Sequence, residues 1–134
     1  MRGSPLPYQL WYSSRMSEPG DNLPILAVVF YATSAGDEPV REWLLGLASD
    51  DRREVGFDIK TVQYGWPLGM PLIRKLEPGL WEVRSRIGNG IARVLFTVDG
   101  DTMVLLHGFV KKSQKTPAVD LDTAKRRLAD LPKG

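Results

Sequence analysis

The sequence predicts an α+β fold: an antiparallel sheet, two N-terminal helices packed on one face of it, and a C-terminal helix. Three observations predict it. Residues 80–110 hold three apolar runs separated by Gly88-Asn89-Gly90 and Asp99-Gly100-Asp101. That is the pattern of a three-stranded antiparallel meander, and Asn-Gly and Asp-Gly are strong hairpin signals. Two amphipathic stripes precede this region, and one follows it. The resulting order is β-α-α-β-β-β-β-α, and no internal repeat is visible.

Residues 1–22 are rich in Pro, Ser and Gly and show no sustained period. They are expected to form a poorly ordered extension ahead of a single domain over residues 23–134. Translation from Met1 and from Met16 are both compatible with this stretch. Residues 26–31 (Leu-Ala-Val-Val-Phe-Tyr) read as a strand. Pro39 then fits a first helical turn, and Val40, Trp43, Leu44 and Leu47 follow at i, i+3, i+4 and i+7. Ser49 is positioned to cap a second helix, whose apolar stripe is Val55, Ile59 and Val62. Asp50 and Asp51 in its first turn favour the helix dipole, and Arg52, Arg53 and Lys60 belong to a solvated face.

Residues 65–71 form a loop with two prolines and two glycines. Trp66 within it is either a cover over the core, the commoner role, or a stacking surface for a base. Residues 72–76 are a short strand carrying Arg74 and Lys75, closed by Glu77-Pro78-Gly79. After the meander, Thr116 reads as an N-cap with Pro117 at the first helical position. Leu121, Ala124, Leu128 and Leu131 form the stripe of that last helix. Acidic residues lead it and Lys125, Arg126 and Arg127 come late, matching its dipole.

Composition excludes several classes. The chain of 134 residues has no cysteine and one histidine, so disulfides, thiolate catalysis and a Cys/His zinc site are excluded. No metal and no cofactor are expected. No apolar run approaches the roughly 20 residues of a membrane span, and the N-terminus lacks the apolar core of a secretory signal. The expected compartment is the cytoplasm, with no membrane partner. Charge is uneven: residues 1–70 carry six Lys/Arg against nine Asp/Glu, and residues 71–134 carry twelve against seven. The basic half contains the meander. Such a surface suits a polyanion, and equally a solvated face.

The turn chosen for the first hairpin decides which side chains share a face. A type I′ turn at Asn89-Gly90 sets Arg86 opposite Arg93, Arg84 opposite Leu95 and Glu82 opposite Thr97. Trp81, Val83, Val94, Phe96 and Val98 then face the helices. A slip of one residue would mix the two sets. Two arginines directly opposite one another repel. An anion over an open outer face would relieve this, which makes the surface a candidate phosphate site.

Four stretches carry a family resemblance: Glu38-Pro-Val-Arg-Glu-Trp-Leu44, Gly79-Leu-Trp-Glu-Val-Arg84, Ala92-Arg-Val-Leu-Phe96, and the run from Leu105 to Pro117. Over roughly residues 26–130 the chain resembles the HigB-type branch of the RelE/ParE toxin superfamily, bacterial and phage-borne toxins of type II toxin–antitoxin modules. The resemblance implies a RelE-like sheet and a metal-independent endoribonuclease that cuts mRNA on the ribosome by attack of a ribose 2′-OH on the adjacent phosphate. It also implies a cognate helix-turn-helix antitoxin.

The implied site residues are Glu82, Arg84 and Arg86 on the first meander strand, Arg93 on the second, and Lys111 and Lys112 after the third. Arg84 and Arg93 are the phosphate-binding candidates; Arg86, Lys111, Lys112, Lys115, Arg74 and Lys75 are the wider RNA-binding set. His107 is a candidate acid or base, although a lone histidine in an apolar strand is more often structural. Glu82 is a candidate base, with a salt bridge to a neighbouring arginine as its alternative. Two departures stand out. Glu82 occupies a position that is lysine in RelE, and the late tyrosine of RelE-like members has no counterpart in Gln114-Lys-Thr-Pro117. Competing functions are a non-enzymatic ParE-like toxin that binds DNA gyrase and an inactive RNA-binding module.

Overall fold

The structure, a computed structural model, describes residues 23–69, 71–111 and 115–132. The expected N-terminal extension and Lys112 lie outside the described residues. The elements are β1 (Ala27–Phe30), α1 (Pro39–Leu45), α2 (Ser49–Gly65), β2 (Ile73–Glu77), β3 (Leu80–Ile87), β4 (Gly90–Asp99), β5 (Thr102–Lys111) and α3 (Ala118–Ala129). The predicted order holds, and the boundaries move by a residue or two. Ser49 is the first helical residue of α2 and not its cap, which is Ala48.

The sheet runs β1-β5-β4-β3-β2. β2 to β5 are antiparallel, as the hairpin signals required. β1 departs from the expected all-antiparallel sheet: it pairs in parallel with β5, from Ala27 opposite Thr102 to Phe30 opposite Leu105. The connection from β1 to β2 therefore travels from one edge of the sheet to the other, and α1 and α2 make that journey over one face. The β4–β5 hairpin closes through Gly100-Asp101 between paired Asp99 and Thr102, with Gly100 at φ 62°. Glycine at the first central position is what a type II′ hairpin turn requires.

On the α1/α2 face, Val40, Leu44, Val55, Ile59 and Val62 meet Val28, Phe30, Val83, Val94, Phe96 and Leu105 in one buried cluster. Trp66 takes the covering role: its ring meets Trp81 edge-on at 5.1 Å and Phe96 at 5.8 Å. α3 lies on the opposite face. Ala124, Leu121, Leu128 and Leu131 pack there with Tyr31, Leu80, Leu95, Val104 and Leu106. The outer face is thus not open along its length, because the C-terminal helix covers part of it. Among the described residues, no helix is long and apolar enough to cross a membrane.

Candidate functional site

The first hairpin keeps its expected faces but not its expected offset. Ile87 pairs with Gly90, so the turn residues are Gly88 and Asn89, and neither has a positive φ. Type I′ geometry, which needs positive φ at both, is absent there. Gly88 N donates to Asp51 Oδ1 of α2 at 3.2 Å, a tie that fixes the turn from outside the hairpin. The result is a shift of two residues from the Asn89-Gly90 register. Arg84, not Arg86, lies opposite Arg93.

Cross-strand pairing arranges the α3 face in rows. Arg74, Glu82, Leu95 and His107 form one; Arg84, Arg93 and Phe109 the next; Ile91 lies between Arg86 and Lys111 in the third. The sequence therefore brings Arg74, Glu82, Arg84, Arg86, Arg93, His107 and Lys111 to one face. Lys75 is on the other, with its ammonium 5.9 Å from the Trp81 ring centre. Lys115 is exposed just before α3.

Glu82 organises the centre. It is fully buried, and so is Arg93. Arg84 Nε donates to Glu82 Oε1 at 2.9 Å, and Arg93 Nη1 lies 3.8 Å from Oε2. Thr116, expected as a helix cap, instead donates its hydroxyl to Glu82 Oε2 at 2.7 Å, while Pro117 stands at the cap position without a side-chain bond. The repulsion between facing arginines is thus answered from within by a carboxylate. Burial pushes the Arg93 guanidinium below its ordinary value; Glu82 opposes this, and Arg84 and Arg74 reinforce it. A guanidinium nonetheless stays charged in a protein. The expectation that Arg93 sits on an open surface is corrected here: its side chain is part of the interior, while that of Arg84 keeps 14% of its surface exposed.

His107 sits under α3. Its Nε2 lies 2.7 Å from Asp120 Oδ1, and Arg127 Nη1 lies 3.4 Å from Nδ1. Arginine can only donate, so Nδ1 accepts and Nε2–H is given to Asp120. Arg127 also donates to the Leu106 carbonyl at 2.8 Å, and the Tyr31 hydroxyl donates to Asp130 at 2.7 Å. Both histidine nitrogens thus join the contacts that dock α3.

A groove of about 430 Å³ opens beside Arg84, at the edge of β3. Glu54, Asp58, Pro71, Leu72, Arg84, Arg86 and Ile91 line it. Burial raises the Asp58 carboxyl above its ordinary value; the nearby Ser85 hydroxyl lowers it, and Glu54 raises it further. Glu54, Asp58 and Asp120 are not among the residues the sequence points to, and Thr116 and Arg127, expected as a cap and a dipole partner, contact Glu82 and His107 instead. The spacing of Asp51, Glu54 and Asp58 at i, i+3 and i+7 was the available signal for an acidic stripe on α2. Among the described residues, no group of three or more His, Asp or Glu is arranged to hold a metal ion.

A mixed sheet between helices, with a row of arginines gathered around a buried glutamate, defines a small α+β domain with one cationic face. The chain belongs to the family described as Phage derived protein Gp49-like (DUF891), whose model matches residues 42–129. That family is associated with the toxins of toxin–antitoxin systems, which implies an antitoxin as partner. No curated protein matches the chain.

Proposed function

We propose that this chain is a HigB-type toxin of the RelE/ParE superfamily that cleaves mRNA on the ribosome, acting in the cytoplasm. The ribose 2′-OH attacks the adjacent phosphate, and Arg84 stabilises the charge that develops on the phosphoryl oxygens. The observation that carries this reading is the arrangement of Arg84. Its Nε is held by buried Glu82 while part of its side chain stays accessible. A guanidinium fixed in this way is pre-organised for an oxyanion. Arg74, Arg86 and Lys111, exposed on the same face, supply backbone contacts. Glu82 acts as a positioning residue, because both its oxygens already accept bonds or an ion pair. Arg93 holds Glu82 from the interior side. His107 serves as the tie between β5 and α3.

The partner is expected to be a small helix-turn-helix antitoxin whose acidic segment orders over the cationic face. Primer extension on mRNA after expression, with and without translation, tests the activity. Arg84→Ala should melt below wild type, because buried Glu82 loses its nearest cation, and the protein that remains folded should lose about 10²–10³ in cleavage rate. Lys111→Ala should weaken RNA binding and flatten its salt dependence, since a lost phosphate contact releases fewer counterions. A folded Arg84→Ala protein that cleaves at the wild-type rate removes the proposed site.

A further inference from the structure

We propose that the groove between α2 and the edge of β3 receives one guanine nucleotide of single-stranded RNA, its phosphate on Arg84 and Arg86 and its base edge on Asp58 and Glu54. The inference rests on the ribonuclease reading and adds a base preference to it.

The groove exists because β2 is shorter than β3. Pairing between them stops at Ile73 opposite Val83, and the last backbone bond runs from Arg84 N to the Leu72 carbonyl at 3.0 Å. No β2 residue pairs with Ser85, Arg86 or Ile87. α2 runs beside this edge and turns its acidic stripe toward it. Asp51 holds the hairpin tip through Gly88, and Asp58 follows one helical turn after Glu54 on the same stripe, lining the groove with it. One wall of the groove therefore carries carboxylates and the other carries guanidinium groups, with Pro71, Leu72 and Ile91 as apolar lining.

The opposite charges do not close the groove upon themselves. Among the described residues, neither the Glu54 nor the Arg86 side chain makes an ion pair or hydrogen bond. The volume of about 430 Å³ falls within the range of small-molecule sites. A ligand that fits must carry an anion at one end and hydrogen-bond donors at the other. A nucleotide does. Arginine forks match phosphate oxygens. Carboxylates only accept, and each offers two oxygens. Guanine alone among the RNA bases presents two adjacent donors, N1–H and N2–H, on its Watson–Crick edge. Uracil presents one donor flanked by two carbonyls, which a carboxylate repels. Single-stranded RNA is commonly read through such edges. The raised Asp58 carboxyl agrees with this, because a donor-rich base supplies what burial has taken from it.

The test titrates the full chain with 5′-GMP, AMP, CMP and UMP, following backbone amide shifts of residues lining the groove. GMP should bind about tenfold tighter than UMP, the discrimination expected of a bidentate base contact. Glu54→Gln with Asp58→Asn should erase that advantage and leave the remaining affinity for all four nucleotides alike. Arg86→Ala should weaken all four together. Equal affinities in the wild type, or a GMP advantage that survives the double substitution, overturns the proposal. So does a double variant that loses antitoxin binding while its nucleotide affinities are unchanged, which would give the groove to the protein partner. Glu54→Gln alone, at an exposed position, repeats the test if the double variant melts early. Cleavage mapping separates the two readings. A chain that cleaves mRNA without a GMP preference defeats the groove and leaves the ribonuclease standing. A GMP preference in a chain that cleaves nothing supports the groove and defeats the ribonuclease.

Discussion

The two faces of the sheet are stabilised by different physics. The α1/α2 face is a continuous apolar contact in which Phe96, Val94, Val83 and Leu105 meet aliphatic side chains of two helices. The α3 face divides. Its β1/β5 end is apolar, with Leu106, Val104 and Tyr31 beneath Ala124 and Leu128. Its β3/β4 end holds a buried charge cluster of Glu82, Arg84 and Arg93. Desolvated charges are tolerated only with partners, and Glu82 is the shared partner. Arginines on a strand are thus not one class. Arg93 belongs to the architecture, Arg86 to the surface, and Arg84 spans the two.

This contrast can be broken by truncation on each face. Phe96→Ala should cost about 3–5 kcal/mol in urea denaturation, as a fully buried aromatic lost from an apolar core. Glu82→Ala should cost a similar amount, about 3–5 kcal/mol, because it removes the buried carboxylate that both Arg84 and Arg93 contact. The two should differ when a second residue is changed. Replacing Arg93 with methionine in the Glu82→Ala background should recover part of the loss, whereas no charge change rescues Phe96→Ala. A Glu82→Ala protein as stable as wild type would mean that the cluster is not architectural.

A smaller loss is expected where β5 meets α1. A Cβ on Gly108 would collide with three carbons of the Trp43 ring. Gly108→Ala should therefore destabilise by about 1–3 kcal/mol through overpacking. Across the strand the sensitive contact is a hydrogen bond instead. His107→Ala removes the donor to Asp120 and should cost about 1.5 kcal/mol. If His107→Ala abolished cleavage with an unchanged melting temperature, its assignment as a tie would be wrong.

How far the sequence revealed this arrangement follows from what a hydrophobic pattern can specify. Alternation in β3 and β4 specifies parity, and the structure keeps it: Trp81, Val83, Val94 and Phe96 face α1 and α2. A slip of two residues preserves parity, so the pattern could not distinguish Arg84 from Arg86 as the partner of Arg93. The deciding contact, Gly88 to Asp51, joins residues 37 apart in sequence. The parallel β1–β5 pair has its own signal in the sequence. Residues 26–31 and Val104-Leu105-Leu106 do not alternate, as expected of strands covered on both faces. That lack of alternation also foretold a helix on the second face. Two facing arginines, seen in the sequence alone, call for an external anion. Glu82, two residues away on the same strand face, meets the demand internally, and only its burial distinguishes the cases. Asp58 was invisible for a different reason: an acidic residue on an amphipathic helix looks solvated until the edge of a neighbouring strand is known.

The smallest effect concerns that carboxyl and is resolved by its pH dependence. Burial is the largest influence on Asp58 and raises it; the nearby Ser85 hydroxyl lowers it, and Glu54 raises it again. The folded protein therefore binds this proton more tightly than the unfolded chain, whose carboxyl titrates near 3.8. Between that ordinary value and the raised one, the native state holds more protons than the unfolded state. Stability must fall as pH rises through this window, and the cost persists above it. Asparagine is close to aspartate in shape and has no charge to desolvate. The stability of Asp58→Asn relative to wild type should accordingly increase from about pH 4 toward neutrality and then level off. Melting curves of the two proteins across that range measure the difference directly. A difference that stays flat would show that Asp58 is hydrated, and that the α2 side of the groove is open water rather than a partly desolvated wall.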